Sequence, residues 1–271
     1  MTFCFILLLG NNHQAQEKSK FFPDQLLISP FKANFLEPKL GFSSMIGENE
    51  IRLDIGNSRD LYHYSDGEIS YSAGADLFTF TRLSGEKEFH FPVEAVDYLF
   101  GINGGFKKAF SGYSIGVRGR LSHISAHFVD GHFDGTLGTW KNNRNPIVYS
   151  REFIEIIPFY ETSNMRFYGG LTFLFHVVPN NIGRMIYQAG CEYTPELFEG
   201  SIIKPFLAYD FRLQQIGVST STNSAMLGIK FGGFNSSGVT IYLSYFSGMS
   251  VHGEYYDVRE EYISSGLNID I

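Results

Sequence analysis

IKPFLAYDFRL, residues 203–213, alternates apolar and polar side chains along its length. Ile203, Pro205, Leu207, Tyr209, Phe211 and Leu213 fall on one side; Lys204, Ala208, Asp210 and Arg212 fall on the other. A repeat of two residues belongs to an extended strand, whose successive side chains point to opposite faces. This strand has a greasy face and a face that sets an acid two residues from a guanidinium.

The same pattern extends in both directions. Met185, Tyr187, Ala189, Cys191 and Tyr193 oppose Arg184, Gln188 and Glu192; Ala225, Leu227, Ile229 and Phe231 oppose Gly228 and Lys230. Ile263, Leu267, Ile269 and Ile271 oppose Ser264, Asn268 and Asp270. Strands are predicted over 39–46, 50–57, 68–83, 93–104, 113–127, 150–161, 165–178, 182–194, 202–213, 222–232, 238–247 and 258–271. Turn-forming runs such as Thr162-Ser163-Asn164 and Pro179-Asn180-Asn181 separate them. No repeat or linker divides the chain, so one domain is expected.

Two architectures use many amphipathic strands: a soluble sandwich and a closed barrel in a membrane. Of the 271 residues, 44% are hydrophobic and 16% aromatic, with 27 Phe and 16 Tyr, yet only 18% are charged. A sandwich turns abundant Lys and Glu toward water. Here the polar faces hold basic and acidic groups in near balance: Arg52 with Asp54, Arg118, Arg120, Arg184 with Glu192, and Asp210 with Arg212. Such side chains fill a barrel interior, while aromatic-rich apolar faces meet lipid. The expected fold is therefore all-β: a single transmembrane antiparallel barrel of about twelve strands, of outer-membrane type. A net charge of -7 without a basic stripe argues against a nucleic-acid partner.

Residues 3–9 (FCFILLL) and Gln14-Ala15-Gln16 predict a cleaved leader over 1–16, which leaves Cys191 as the cysteine of the mature chain. Residues 17–38 are expected to lie in the periplasm and 39–271 to form the barrel. With both ends periplasmic, odd strands run outward, the long connection 128–149 lies outside, and 58–67 becomes a long periplasmic turn.

RLSHISAHFVDGHFDG, residues 120–135, is the chemically richest stretch. On strand 113–127 the arginines Arg118 and Arg120 must face the lumen, since a charge toward lipid costs about 2–4 kcal/mol near mid-membrane. His123, Ser125 and His127 then continue the lipid-facing row of Tyr113, Ile115, Val117, Gly119 and Leu121. A serine becomes a useful nucleophile when an imidazole takes its proton and a third group holds that imidazole. Glu152, on the lipid-facing side of strand 150–161, is the candidate third group. Ser125, His123 and Glu152 thus predict hydrolysis of a lipid ester in the outer leaflet. The plainer alternative is a polar rim on a non-enzymatic structural barrel.

Two other readings stand beside these. His127, Asp130, His132 and Asp134 could gather in the following loop around a metal, with calcium the candidate cofactor. The lumen charges could line a small channel, although in twelve strands they more readily fill the bore.

His123-Ile124-Ser125 near the outer end of a barrel strand resembles the His-x-Ser element of outer-membrane phospholipase A and the lipid A deacylases. In those families Ser is the nucleophile, His the base, and an Asn or Glu on a neighbouring strand completes the triad. The resemblance implies those roles for Ser125, His123 and Glu152; where both families tend to place Asn after the serine, this chain has Ala126. Longer stretches, FFPDQLLISPFKANFLEPKLG (21–41), FTRLSGEKEFHFPVEAVDYLFGIN (80–103), SHISAHFVDGHFD (122–134) and YSREFIEIIPFYE (149–161), are similar to a bacterial family of unknown function expected to form outer-membrane barrels. The expected location is the bacterial outer membrane, with outer-membrane lipids and a second copy of the chain as partners.

Overall fold

The computed structural model describes residues 18–195, 201–233 and 237–270. The expected leader lies outside the described residues. Twelve antiparallel strands form the wall: β1 (Leu40–Met45), β2 (Glu50–Asp66), β3 (Ile69–Ser84), β4 (Val93–Phe110), β5 (Tyr113–Phe128), β6 (Tyr149–Thr162), β7 (Met165–Val178), β8 (Met185–Tyr193), β9 (Ile203–Ile216), β10 (Val218–Gly232), β11 (Gly238–Met249) and β12 (Arg259–Asp270). Each pairs with the next, and β12 pairs with β1, so the sheet closes on itself. No α-helix occurs among the described residues.

Alternation sorts the side chains as the sequence predicts. Leu121, Ile154, Ile156, Leu171, Phe173, Leu207, Leu227 and Leu243 are exposed and belong to a continuous apolar outer surface. Arg52, Asp54, Arg118, Arg120, Glu192, Asp210 and Arg212 are buried in the lumen. One expected pair does not form. Arg184 lies exposed just before β8, and the partner of Glu192 is Arg166, 2.7 Å away.

The predicted long turn over 58–67 is strand. β2 runs on to Asp66, takes a bulge between Asp60 and Tyr62, and reverses through Gly67 in the left-handed region at φ 62°. The polar composition of SRDLYHYSD resembles a loop because its inward side chains meet polar partners inside the barrel: Ser58 bonds to Asp76, and Asp60 accepts from Leu27 N and His63.

The largest departure concerns the amino-terminal segment. Expected in the periplasm, it instead enters the barrel between about Leu27 and Pro38 and fills the lower lumen. Phe31 and Asn34 have no exposed surface, and Leu36 packs against Phe78, Phe80, Leu99 and Phe153 of the inner wall. Irregular backbone inside a barrel leaves carbonyl groups without strand partners, and the lumen arginines supply donors. Arg166 reaches the carbonyls of Ser29 and Pro30 at 2.8 and 2.7 Å, and Arg52 reaches that of Phe35 at 2.9 Å. Arg212 donates to Asn34 Oδ1 at 2.6 Å, while Arg118 makes a bidentate pair with Glu37. The Phe31 ring lies between the Arg118 and Arg166 guanidinium groups, 4.6 and 4.5 Å from its centroid.

At the outer end the turn after β11 folds over the mouth. Asp97 accepts hydrogen bonds from His252 Nδ1 and Gly253 N, both at 2.8 Å. The Glu254 carboxylate accepts from Phe128 N and Ile147 N at 3.2 and 3.1 Å, tying this cap to the long connection after β5. The barrel is thus plugged from below and capped from above.

Candidate active site on the outward face

β5, β6 and β7 lie side by side, and their register sets the site. His123 stands opposite Glu152, Glu152 opposite His176, and Ser125 opposite Ser150. His123 Nδ1 is 2.6 Å from Glu152 Oε1, which also accepts a hydrogen bond from Ser150 Oγ at 2.9 Å. The other oxygen, Oε2, faces His176 Nδ1. An ionised carboxylate only accepts, so the proton on His123 sits at Nδ1 and Nε2 is left as the basic nitrogen. The His123 and Glu152 side chains are each 27% exposed, and that of His176 is 59% exposed.

Ser125 follows His123 on the same outward face, with Cα atoms about 6.5 Å apart along a strand. Among the described residues its hydroxyl makes no hydrogen bond. Phe100, on β4 opposite His123, lies 4.9 Å from the imidazole between ring centroids and covers one flank. Sequence reasoning therefore placed three side chains correctly on one face. The structure pairs two of them and leaves the serine beside the pair.

His176 was missed for a structural reason. Strict alternation on β7 turns even-numbered residues inward, as with Arg166, Tyr168, Thr172 and Leu174. A bulge between Leu174 and His176 inserts one residue, so Phe175 and His176 both face outward and Val177 turns in. The signal in FLFHVV is a broken period: Leu174 and Val177, three residues apart, both belong to the core.

The four residues expected to bind a metal do not converge. Asp130 Oδ1 accepts from Gly131 N at 3.1 Å, and Asp134 Oδ1 closes a turn with Thr136 N and Leu137 N at 2.9 and 3.0 Å. His132 is buried in the cap, stacked 3.9 Å from the Phe128 ring and 3.2 Å from the Tyr255 hydroxyl. His127 faces outward, its ring 6.2 Å from that of Tyr98. Among the described residues no three His, Cys, Asp or Glu side chains are arranged to hold an ion. The two Asp-Gly pairs are turn chemistry.

Closed wall, apolar belt and polar plugged lumen define an outer-membrane-type β-barrel. The chain belongs to the family described as protein of unknown function (DUF1207), whose model matches residues 95–270, from β4 to the end of β12. No curated protein matches the sequence. Among solved structures it is similar to outer membrane phospholipase A from Escherichia coli, at 13% identity and a TM-score of 0.55, covering 91% of this chain and 95% of that one. It is also similar to the β-domain of the Bordetella autotransporter BrkA, at 12% identity and a TM-score of 0.45 over 85% and 97% of the two chains. OmpT of Vibrio cholerae gives 10% identity and a TM-score of 0.38 over 85% and 95%. At these identities the likeness concerns the fold.

Proposed function

We propose that the protein resides in the outer membrane and hydrolyses a lipid ester of the outer leaflet. The observation that carries this is the outward-facing His123–Glu152 pair at 2.6 Å, beside Ser125 on the lipid-facing surface of a barrel. Polar groups inside the lumen are explained by the plug they hold, whereas this cluster points away from it.

In the proposed reaction Ser125 Oγ attacks the ester carbonyl carbon as His123 Nε2 takes the hydroxyl proton. The carbon–oxygen bond to the alcohol then breaks, and the imidazolium returns that proton to the departing alkoxide. Water, deprotonated by the same nitrogen, releases the acyl group as a carboxylic acid and restores the serine. Glu152 holds the Nδ1–H and stabilises the transient positive charge. His176 and Ser150 hold Glu152, which fixes the plane of the carboxylate.

A second reading has its own support. Glu152 is satisfied by His123, His176 and Ser150 without Ser125, as a rim cluster on a non-conducting structural barrel would be. Ser125→Ala separates the two. Turnover of phospholipid and lipid A by detergent-solubilised protein is expected to fall at least about a thousandfold in the variant. Equal turnover in variant and parent, or none in the parent, favours the structural barrel.

A further inference from the structure

The closed wall has a notch at one end, where β1 is much shorter than its neighbour β2. β1 is 6 residues long and β2 is 17. β1 covers β2 through Gly41–Ser44 against Ile51–Asp54, and a short strand at Ser19–Phe21 covers Tyr62–Tyr64. Between these covers no strand among the described residues lies beside residues 55–60 of β2 on that side. The opposite bank is the end of β12, where Ile269 pairs with Leu40. An open sheet edge at membrane depth is tolerated only where protein or a polar cavity faces it.

A cavity of about 150 Å³ occupies this notch, between the plug segment and the wall. Its lining sets ammonium groups from Lys32, Lys39 and Lys230 beside carboxylates from Asp24, Glu37 and Asp270, with apolar surface from Phe206, Met226 and Ile269. By water-sized volume it holds on the order of ten water molecules, enough for an ionised head and its first methylenes.

We infer that this notch is a binding site for a single-chain amphiphile with an anionic head, whose head meets the lysines and whose chain lies toward Phe206, Met226 and Ile269. The site is on the opposite side of the wall and near the opposite end from Ser125, and it stands independently of the hydrolytic proposal. Lys39 Nζ is 4.0 Å from Asp54 Oδ2, beyond hydrogen-bond reach, and Lys230 pairs with Asp270 at 2.8 Å. Burial pushes the Lys32 and Lys39 ammoniums down to about 8. Around Lys32 stand Glu192 and Asp270 against Arg166 and Lys230; around Lys39 stand Asp54 and Glu37 against Arg52. An anion entering the notch opposes that burial cost. The protonated lysines are lost as pH rises through about 8, so binding is strongest below it.

The test is photo-crosslinking of the full chain in neutral detergent with three diazirine probes of equal length: a fatty acid, a lysophosphatidylglycerol and a primary alcohol. Peptide mapping is expected to place the anionic adducts on the plug segment, β9, β10 or β12, with the alcohol spread around the belt. Lys39→Met and Lys230→Met are each expected to reduce notch labelling by about tenfold while the barrel still shows its heat-modifiable band. Whichever anionic probe labels more strongly identifies the source, a free acid or a lysolipid. If a variant fails to fold, a constant-charge alkyl sulfonate probe on the parent protein replaces it. Its notch labelling is expected to fall between about pH 7 and about pH 9.5 while belt labelling holds. Uniform labelling around the belt, equal labelling by the alcohol, or indifference to both lysines and pH overturns the inference.

Discussion

Two charged pairs on one strand invite comparison. Arg118 points into the barrel and grips Glu37 of the plug, with side-chain exposures of 9% and 4%. His123, five residues on, points out and grips Glu152, each 27% exposed. The first pair has a packing purpose: irregular backbone in the lumen needs donors, and its one carboxylate needs a counter-charge. The second pair has no such task, because neither the plug nor the cap touches that face. Polarity inside this barrel is structural, and polarity outside it needs another cause.

Breaking each pair in turn sharpens this contrast. The largest effect is expected from Glu37→Ala, which removes the bidentate partner of Arg118 and leaves it only the Glu155 carboxylate at 3.7 Å. Loss of one partner of a buried pair costs about 3–5 kcal/mol, to be read as a lower denaturation midpoint. Lipid turnover per folded molecule is expected to stay at the parent level, and a parallel loss of turnover would tie the two faces together. Glu152→Gln is expected to do the reverse, lowering turnover by roughly 10²–10³-fold with little change in stability. His176→Phe acts on the reaction only through Glu152, and its effect is expected to stay under about tenfold.

The plug pair also has a pH signature. Burial by itself would raise the Glu37 carboxyl, but the Arg118 guanidinium, with Arg120 and Arg166, holds it down to about 2. A carboxyl lowered in the folded state contributes stability that is complete above its ordinary value of 4.5 and lost as pH falls toward 2. Single-channel recordings are therefore expected to be silent at neutral pH and through mild acid, with openings only near the bottom of that window. A pore conducting at neutral pH would contradict a docked plug.

Much of this was legible in the residues. Period-two patterning gave twelve strands and the correct face for His123, Ser125, Glu152 and the lumen arginines, because the outward-facing and lumen-facing sides differ sharply in polarity. The plug was not legible: residues 27–38 have no period, and their partners are arginines scattered over β2, β5, β7 and β9. His176 was hidden by a one-residue bulge that reverses the parity on which face assignment depends. The four residues expected to hold a metal stand apart because closeness in sequence is not convergence; Asp130 and Asp134 close separate turns, and His132 folds into the cap.

The most direct test of the outward cluster asks whether Ser125 is nucleophilic. Folded protein in detergent is treated with a lipid-like fluorophosphonate, and the adduct is mapped by peptide mass. A single adduct on Ser125, lost in His123→Ala, is the expected result. An unmodified Ser125, or labelling spread equally over other serines, would contradict it.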